Sequence, residues 1–204
     1  MDPAHSRHAT TTSKRVAIQA AVLAATEALL VEGGSYANLN IERIATRAGI
    51  SRTAFYFYFR DKRELLMRLT ADVNELLYRQ ADIWFSGSGA PEPEMRRALT
   101  NVATLYREHG VLLRAIVEVS TYDEQVADLW RAMLGRFVDA SCRRIEAEQA
   151  GGRATARHAH ATAFALVWMT ERTMYQQLVQ GEPLAADEMV DALVSIWLRA
   201  VYGA

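Results

Sequence analysis

The chain has 204 residues, half of them apolar and 23% charged, which excludes a disordered chain and fits one or two folded domains. The formal charge of −1 hides an asymmetry, because residues 1–70 hold ten Lys and Arg against six Asp and Glu, whereas residues 71–204 hold thirteen against eighteen. A single cysteine, Cys142, excludes an internal disulfide, and no stretch reaches the ~18 apolar residues of a membrane span. These features predict a cytoplasmic protein without a membrane role, whose basic first third meets a polyanion.

Helical periodicity runs through nearly the whole chain, and no strand-like alternation persists. Residues 1–13 are predicted to form a flexible polar tail. Asn40 is placed to cap a helix at 41–48, and a further short helix is predicted to start near Ser51. The segment SGSGAPEP at 86–93 is a predicted linker. The other predicted helices lie at 14–32, 41–48, 61–85, 94–109, 111–120, 124–150, 154–180 and 184–202.

The last two predicted helices carry apolar arcs wider than one helix face. Either they lie deep in the monomer or they also pack against a second subunit, and the pattern favours a homodimer formed through these two helices. In the final helix two stripes run side by side, formed by Met189, Leu193, Ile196 and Ala200 and by Val190, Val194, Trp197 and Val201.

Residues 41–59 have the spacing of a helix-turn-helix. Ala45 allows two helices to cross closely, Gly49 suits a left-handed turn, and Phe55 anchors the second helix. Five aromatic residues then follow in a row from Phe55 to Phe59. At 100° per residue, Phe55 and Phe59 fall on one side and are predicted to be buried, whereas the rings between them form an outer face.

The outer face carries groups that suit DNA. Tyrosine hydroxyls can donate to phosphate oxygens, while Phe57 and the Thr53 methyl group can contact thymine methyl groups. Arg52 is a candidate for guanine or phosphate, and Lys62 would add its charge at a backbone phosphate beside the start of the next helix. The alternative is an aromatic-rich helix junction surrounded by solvated cations.

The segment LNIERIATRAGISRTAFYFYFRDKRELL resembles the DNA-binding domain of the TetR (tetracycline repressor) family, and the resemblance covers residues 14–70. ADLWRAM, MTERTMY and SIWLRAVYG resemble the subgroup of the ethionamide-resistance repressor. The resemblance implies an all-α fold of about nine helices. It places a three-helix DNA-binding domain at 14–60 and a ligand-binding and dimerisation domain at 61–204, with a linking helix at 61–85.

Position by position, the resemblance implies two sets of contact residues. Ala54 departs from a threonine that is frequent in the family, which affects one base contact. The implied DNA contacts are Asn40, Ser51, Arg52, Thr53, Ala54, Tyr56, Phe57, Tyr58 and Lys62. The implied ligand contacts are Met95, Leu99, Trp130, Leu134, Phe137, Val167, Thr170, Glu171, Met174, Tyr175 and Trp197.

The implied ligand site departs from the subgroup. Val167 and Thr170 stand where the subgroup has two asparagines, and Arg96, Arg107 and Arg144 replace apolar residues. We therefore expect a different ligand and a smaller or more polar pocket.

Glu171 lies in an otherwise apolar stretch, where an unpaired carboxylate is costly. It either meets a polar ligand group or pairs with an arginine from another helix. Arg172 is not expected to face it, because adjacent helical residues diverge.

The sequence therefore predicts a homodimeric repressor that binds a palindromic operator in double-stranded DNA and is released by a small, largely apolar effector. Neither catalytic residues nor a cofactor or metal site is predicted, since no motif has the required spacing. Two alternatives remain at this point. One is a small all-helical enzyme with Glu171 as general base, and the other is a helical ligand carrier or scaffold that does not bind DNA.

Overall fold

The computed structural model describes the backbone of residues 3–181 and 184–203, and the side chains in these ranges from Lys14 onward. The described residues form nine α-helices and no strand, so the predicted all-α fold is confirmed. Within the same ranges, no helix is both long and apolar enough to cross a membrane. The helices are α1 (Pro3–Val31), α2 (Ile41–Arg47), α3 (Arg52–Phe55), α4 (Lys62–Phe85), α5 (Pro91–Glu108), α6 (Gly110–Ser120), α7 (Glu124–Ala150), α8 (Ala159–Met174) and α9 (Ala186–Tyr202).

Several helix ends differ from those predicted. Helix α1 begins at Pro3, so residues 3–13, predicted as a flexible tail, are helical, while residues 1 and 2 lie outside the described residues. Pro91 likewise opens α5, three residues before the predicted start. Proline suits the start of α5 because the N–H groups of a first helical turn have no partner within the helix, so its missing N–H costs no hydrogen bond. Helix α8 begins only at Ala159, and a π-helical turn, Tyr175–Val179, follows it.

The chain divides into two compact units, one that runs up to Thr70 and one from Ala71, called here the N-terminal and C-terminal units. The division falls inside α4, whereas the sequence placed it before that helix. In the N-terminal unit, α2 packs against α1 and α3. Its core contains large side chains that are almost fully buried, among them Leu29, Ile44, Phe55, Phe59, Leu65 and Leu66.

The C-terminal unit contains two principal helix pairs, since α7 packs along α8 and α5 along α9. Six of the eight residues in the two predicted stripes on α9 are buried, whereas Ile196 is exposed and Ala200 half-buried. The exposed apolar side chains left on the last two helices include Phe164 and Ile196, at 51% and 44% exposure.

The predicted linker at 86–93 is tied to the helices that follow it. The Gly89 N–H donates to a Glu94 carboxylate oxygen at 2.6 Å. Arg144 of α7 donates to the Gly87 carbonyl. The turn between α4 and α5 is thus held by a buried arginine and a carboxylate rather than left as an open hinge.

Candidate DNA-binding surface and effector cavity

The turn between α2 and α3 has the geometry that the sequence predicted for a helix-turn-helix. Gly49 has φ +71°, in the left-handed region that favours glycine. The N–H of Ile50 donates to the Ala45 carbonyl at 3.0 Å, and that of Gly49 donates to Thr46 at 3.1 Å. This pair of bonds is the Schellman arrangement that closes a helix. Asn40 caps the start of α2, as predicted, by accepting from the Arg43 N–H at 2.8 Å.

Helix α3 is shorter than the sequence predicted. It ends at Phe55, and residues 56–58 continue as turns with bonds such as that from the Tyr58 N–H to the Phe55 carbonyl. The Phe59 N–H still reaches the Phe55 carbonyl at 3.0 Å, so one tightened turn replaces the expected last turn of α-helix. Ser51 opens α3 by accepting from the Ala54 N–H at 3.0 Å.

The five consecutive rings divide between two environments. Phe55 and Phe59 are 0% and 1% exposed, with ring centroids 5.4 Å apart, so the predicted core pair is confirmed. Phe57 is 74% exposed and Tyr56 is 47% exposed. Two adjacent aromatic rings, Tyr56 and Phe57, are therefore exposed next to the buried pair.

The other predicted DNA contacts in this segment are exposed to different degrees. Ser51, Arg52 and Thr53 are exposed, and Ala54 and Tyr58 are half-buried. Arg52 has no ion pair among the described residues. Residues 51–54 and 56–58, which are all at least partly exposed, are together called here the aromatic surface.

Lys62 has a different environment from the one the sequence implied. Its ammonium donates to three carbonyl oxygens, those of Tyr36 at 2.7 Å and of Ala37 and Leu39 at 2.9 Å. The ammonium also lies 5.1 Å from the centre of the Tyr36 ring, and the Tyr36 hydroxyl bonds to the Lys62 carbonyl. The three donors of a lysine ammonium are thereby engaged, which ties the turn before α2 to the start of α4.

The C-terminal unit contains an apolar cavity of about 70 Å³ between α4, α5, α7, α8 and α9. One water needs about 10–15 Å³ of such volume, so the cavity holds a group of several heavy atoms. We call it the apolar cavity. Its lining consists of Ala81, Trp84, Phe85, Met95, Ala98, Leu99, Val102, Ser141, Val167, Thr170 and Trp197.

Some of the implied ligand contacts lie at this cavity and others do not. Met95, Leu99, Val167, Thr170 and Trp197 line it. Outside its lining lie Trp130, Leu134, Phe137, Glu171, Met174 and Tyr175.

Sequence reasoning missed the contribution of α4 to the lining. Ala81, Trp84 and Phe85 come from the last turn of that helix, at spacings of three and four residues that place them on one face. The same spacing adds Ala98 and Val102 to the face of α5 that carries Met95 and Leu99. These stripes were visible in the sequence, but nothing in it showed that they share a cavity with Ser141.

Thr170 supports one wall of the cavity. Its hydroxyl oxygen accepts from the Trp197 indole N–H at 2.8 Å. The Trp197 ring meets that of Trp84 edge to face, with centroids 5.2 Å apart. Thr170, which stands where the subgroup has an asparagine, therefore orients the Trp197 side chain in the lining.

Glu171 is 3% exposed, and neither of its carboxylate oxygens has a hydrogen-bond partner among the described residues. Its charged neighbour is Arg172, whose Nε lies 3.7 Å from Oε2, so the prediction that Arg172 does not face Glu171 is wrong. Of the two alternatives for Glu171, pairing with an arginine from another helix is not found among the described residues. The long arginine side chain reaches the carboxylate although adjacent Cβ atoms diverge, and its guanidinium also lies 5.3 Å from the centre of the Tyr175 ring. Burial raises the pKa of Glu171, and Arg172 offsets part of that rise.

Comparison with known proteins agrees with this combination of a helix-turn-helix and a helical unit with a cavity. Residues 22–69 match the family described as bacterial regulatory proteins, tetR family. The chain therefore belongs to the TetR family of transcriptional regulators, which are not enzymes. Residues 95–203 match the family described as transcriptional regulator EthR, C-terminal domain, so the resemblance to this subgroup is also confirmed.

Curated relatives carry the same description. The HTH-type transcriptional regulator EthR of Mycolicibacterium smegmatis is 30% identical over 192 residues, which cover 91% of this chain and 86% of the relative. EthR of Mycobacterium tuberculosis is 31% identical over 191 residues, covering 90% and 86%.

Solved structures share the fold at lower identity. A TetR-family regulator from Mesorhizobium loti superposes with a TM-score of 0.72 at 20% identity and covers 94% of this chain and 98% of its own. A regulator from Saccharomonospora viridis, solved in complex with choline, has a TM-score of 0.74 at 17% identity and covers 93% and 98%.

Proposed function

We propose that this TetR-family regulator is a homodimeric repressor, which binds a palindromic operator and releases it when a small effector enters the C-terminal unit. The observation that supports this most directly is the aromatic surface, where Phe57 is 74% exposed above the buried pair of Phe55 and Phe59. Such a repressor acts in the cytoplasm, where its operator lies.

The aromatic surface would enter the major groove of DNA. Arg52 can pair with guanine or phosphate, and Phe57 and the Thr53 methyl group can meet thymine methyl groups. The Tyr56 and Tyr58 hydroxyls would bond phosphate oxygens, with Ser51 and Asn40 at the backbone nearby. Ala54 supplies a small contact where many relatives of the family have a threonine.

Lys62 contributes to this function by holding the N-terminal unit in shape. An ammonium with three carbonyl partners keeps its positive charge close to the start of α4 while fixing the turn at 36–39. A phosphate near the start of α4 would be attracted by that charge while the ammonium keeps its three hydrogen bonds to the carbonyl oxygens.

The dimer would form through α8 and α9. Phe164 and Ile196 remain exposed on these helices, and Trp168 lies beside Phe164 with ring centroids 6.0 Å apart. A second subunit that covers these side chains would remove apolar surface from water, which is the usual basis of a stable dimer. Two N-terminal units would then meet half-sites about 34–36 Å apart on one face of the DNA.

The effector would act through α4, a continuous helix of 24 residues. Trp84 and Phe85 at its carboxyl end line the apolar cavity, and its first turn belongs to the N-terminal unit. An effector that favours one position of Trp84 would shift the population of the DNA-competent state by its difference in affinity for the two states. Met95, Leu99, Val167, Thr170 and Trp197 would form the remaining contacts.

The test is a gel-shift titration of the full chain against DNA from upstream of its own coding region. The proposal predicts a discrete complex that withstands an excess of unrelated DNA and weakens steeply as salt rises. Binding only to unrelated DNA, lost at modest salt, would contradict the operator. No DNA binding at all would favour the ligand carrier.

A further inference from the structure

A second pocket lies next to the apolar cavity in the C-terminal unit. It has a volume of about 430 Å³ and carries three arginines, two acids, two aromatic rings and the turn after α4. We call it the arginine pocket. Its lining consists of Tyr78, Asp82, Phe85, Ser86, Gly87, Ser88, Ala140, Arg143, Arg144, Ala147, Glu148 and Arg153.

The two pockets meet at three places. Phe85 belongs to the lining of both. Trp84 lines the apolar cavity, and the Arg144 guanidinium of the arginine pocket lies 5.7 Å from the centre of its ring. Ser141 of the apolar cavity is three residues from Arg144 on α7, which places both on one helix face.

Buried donors without a partner collect at this junction. Trp84 Nε1, Ser141 Oγ, Arg144 Nε and the Tyr202 hydroxyl have no hydrogen-bond partner among the described residues. Trp84, Ser141 and Arg144 are 2%, 0% and 7% exposed. Burial raises the pKa of Tyr202, and its hydroxyl lies close enough to the Trp84 N–H and to Arg144 for both to offset part of that rise.

The charges around Arg144 are otherwise balanced. Its Nη2 lies 2.8 Å from Glu148 and 3.5 Å from Glu94, and Arg153 lies 2.5 Å from Glu148. Arg143 lines the pocket without an ion pair among the described residues, and Asp82 accepts from Ser86 at 2.7 Å. Because these charges nearly cancel, the unpartnered donors rather than a net positive charge would determine which ligand binds in this pocket.

The donors and acceptors are unequal in number. At this junction the Trp84 and Arg144 nitrogens can only donate, the Ser141 and Tyr202 hydroxyls can donate or accept, and the one acceptor-only atom without a hydrogen bond, Glu94 Oε2, already faces Arg144. A buried donor without an acceptor destabilises the structure, so a ligand that accepts from several such donors binds more tightly. A carboxylate accepts several bonds at once, and bonds to an ionised acceptor are about twice as strong as neutral ones.

We propose that the apolar cavity and the arginine pocket form one site for an amphipathic carboxylate. The apolar chain lies in the cavity beside Trp84, and the carboxylate lies at the junction, where it accepts from Arg144 Nε and the Ser141 hydroxyl. Turning the half-buried Phe85 ring opens the passage between the two pockets. The role of this ligand as effector rests on the function proposed above, but its binding does not.

The experiment is isothermal titration of the full chain, without DNA, with octanoate and with octan-1-ol as a neutral probe of the same length. Octanoate is expected to bind at least roughly tenfold more tightly, because only the acid gives charged acceptors to the donors. Equal binding of the two probes, or no binding of octanoate, overturns the proposal. Since no DNA is present, that failure leaves the operator assay unaffected.

Two variants test the assigned atoms. Arg144→Gln is expected to abolish the preference for octanoate, and Ser141→Ala to weaken octanoate roughly three- to tenfold. Arg131→Gln, at an exposed position of the same helix α7, is the matched control and should bind octanoate as the wild type does. If Arg144→Gln does not fold because Glu148 loses a partner, Ser141→Ala decides the question. Unchanged octanoate binding in Ser141→Ala then overturns the proposal.

Discussion

The side chains that the proposed function depends on are exposed in the N-terminal unit and buried in the C-terminal unit. In the N-terminal unit the rings that face outward, Tyr56 and Phe57, stand on a small core closed by Phe55 and Phe59. In the C-terminal unit the informative groups are buried, since Trp84, Ser141 and Glu171 are at most 3% exposed. The surface proposed to contact DNA is formed by one short segment of the chain, whereas the apolar cavity is lined by side chains from five helices.

Substitutions should therefore separate effects on stability from effects on binding more clearly in the N-terminal unit than in the C-terminal unit. Neighbouring residues of the aromatic run have different tasks, so substitutions there should affect either folding or DNA binding. In the C-terminal unit the same buried group supports the fold and lines the cavity, so its loss should affect both.

The largest effect is expected from Phe55→Ala. Removing a fully buried ring should destabilise the N-terminal unit by about 3–5 kcal/mol and abolish DNA binding. Thermal unfolding followed by circular dichroism measures the loss. Phe57→Ala is the control two residues away, and it should keep the stability within about 0.5 kcal/mol while weakening operator binding. Equal stability losses in the two variants would contradict the division of the rings.

Lys62→Met should come next. It removes three bonds from an ammonium to carbonyl oxygens, and we expect a loss of about 2–4 kcal/mol in stability. Arg52→Gln should leave stability unchanged and flatten the salt dependence of operator binding by about one unit if Arg52 contacts a phosphate. A stable Lys62→Met variant with a flattened salt dependence would instead assign Lys62 to direct phosphate contact.

Thr170→Val tests the wall of the apolar cavity. It leaves the buried Trp197 N–H without its acceptor, which should cost about 1–2 kcal/mol of stability and also alter effector affinity. Thr100→Val on the exposed side of α5 should change neither quantity. Chemical denaturation of both variants measures the difference, and an unaltered stability in Thr170→Val would show that the indole does not depend on this hydroxyl.

The smallest effect is expected from Glu171→Gln, and it depends on pH. The folded-state pKa of Glu171 lies above its ordinary value, so the folded state holds a proton that the unfolded chain has already lost. Wild-type stability therefore falls, relative to the variant, as pH rises from about 4.5 through the raised pKa. Melting temperatures should differ more at pH 8 than at pH 4.5, in favour of Glu171→Gln. A difference that does not change with pH would indicate that Glu171 titrates as an exposed carboxyl does.

The sequence predicted the N-terminal unit well because its signals are local. Asn40, Gly49 and Phe55 act within a few residues of themselves, through a cap, a turn and a helix face. Lys62 was the exception, since its partners at 36–39 lie more than twenty residues away and depend on how the turn before α2 folds. The sequence shows a positive charge at this position, but it does not show that the ammonium is directed at these carbonyl oxygens.

The cavity was predicted less completely because it depends on packing across the unit. The stripes on α5 and α9 were visible, yet the entry of Trp84 and Phe85 from α4 depends on where that helix ends. The tie between Arg144 and the 86–93 turn likewise joins residues almost sixty positions apart. Charge and spacing in the sequence do not define such pairings, because many helix arrangements satisfy the same apolar pattern.

The most direct test of the account is selection of DNA by the full chain from a random pool, repeated with Phe57→Ala. The wild type is expected to enrich a palindromic site whose half-sites lie about one helical turn, or a multiple of it, apart. Phe57→Ala, although folded, should lose preference at the base pairs that its ring contacts. Enrichment of the same site with equal strength by both proteins would contradict the assignment of the aromatic surface as the part of this regulator that reads DNA.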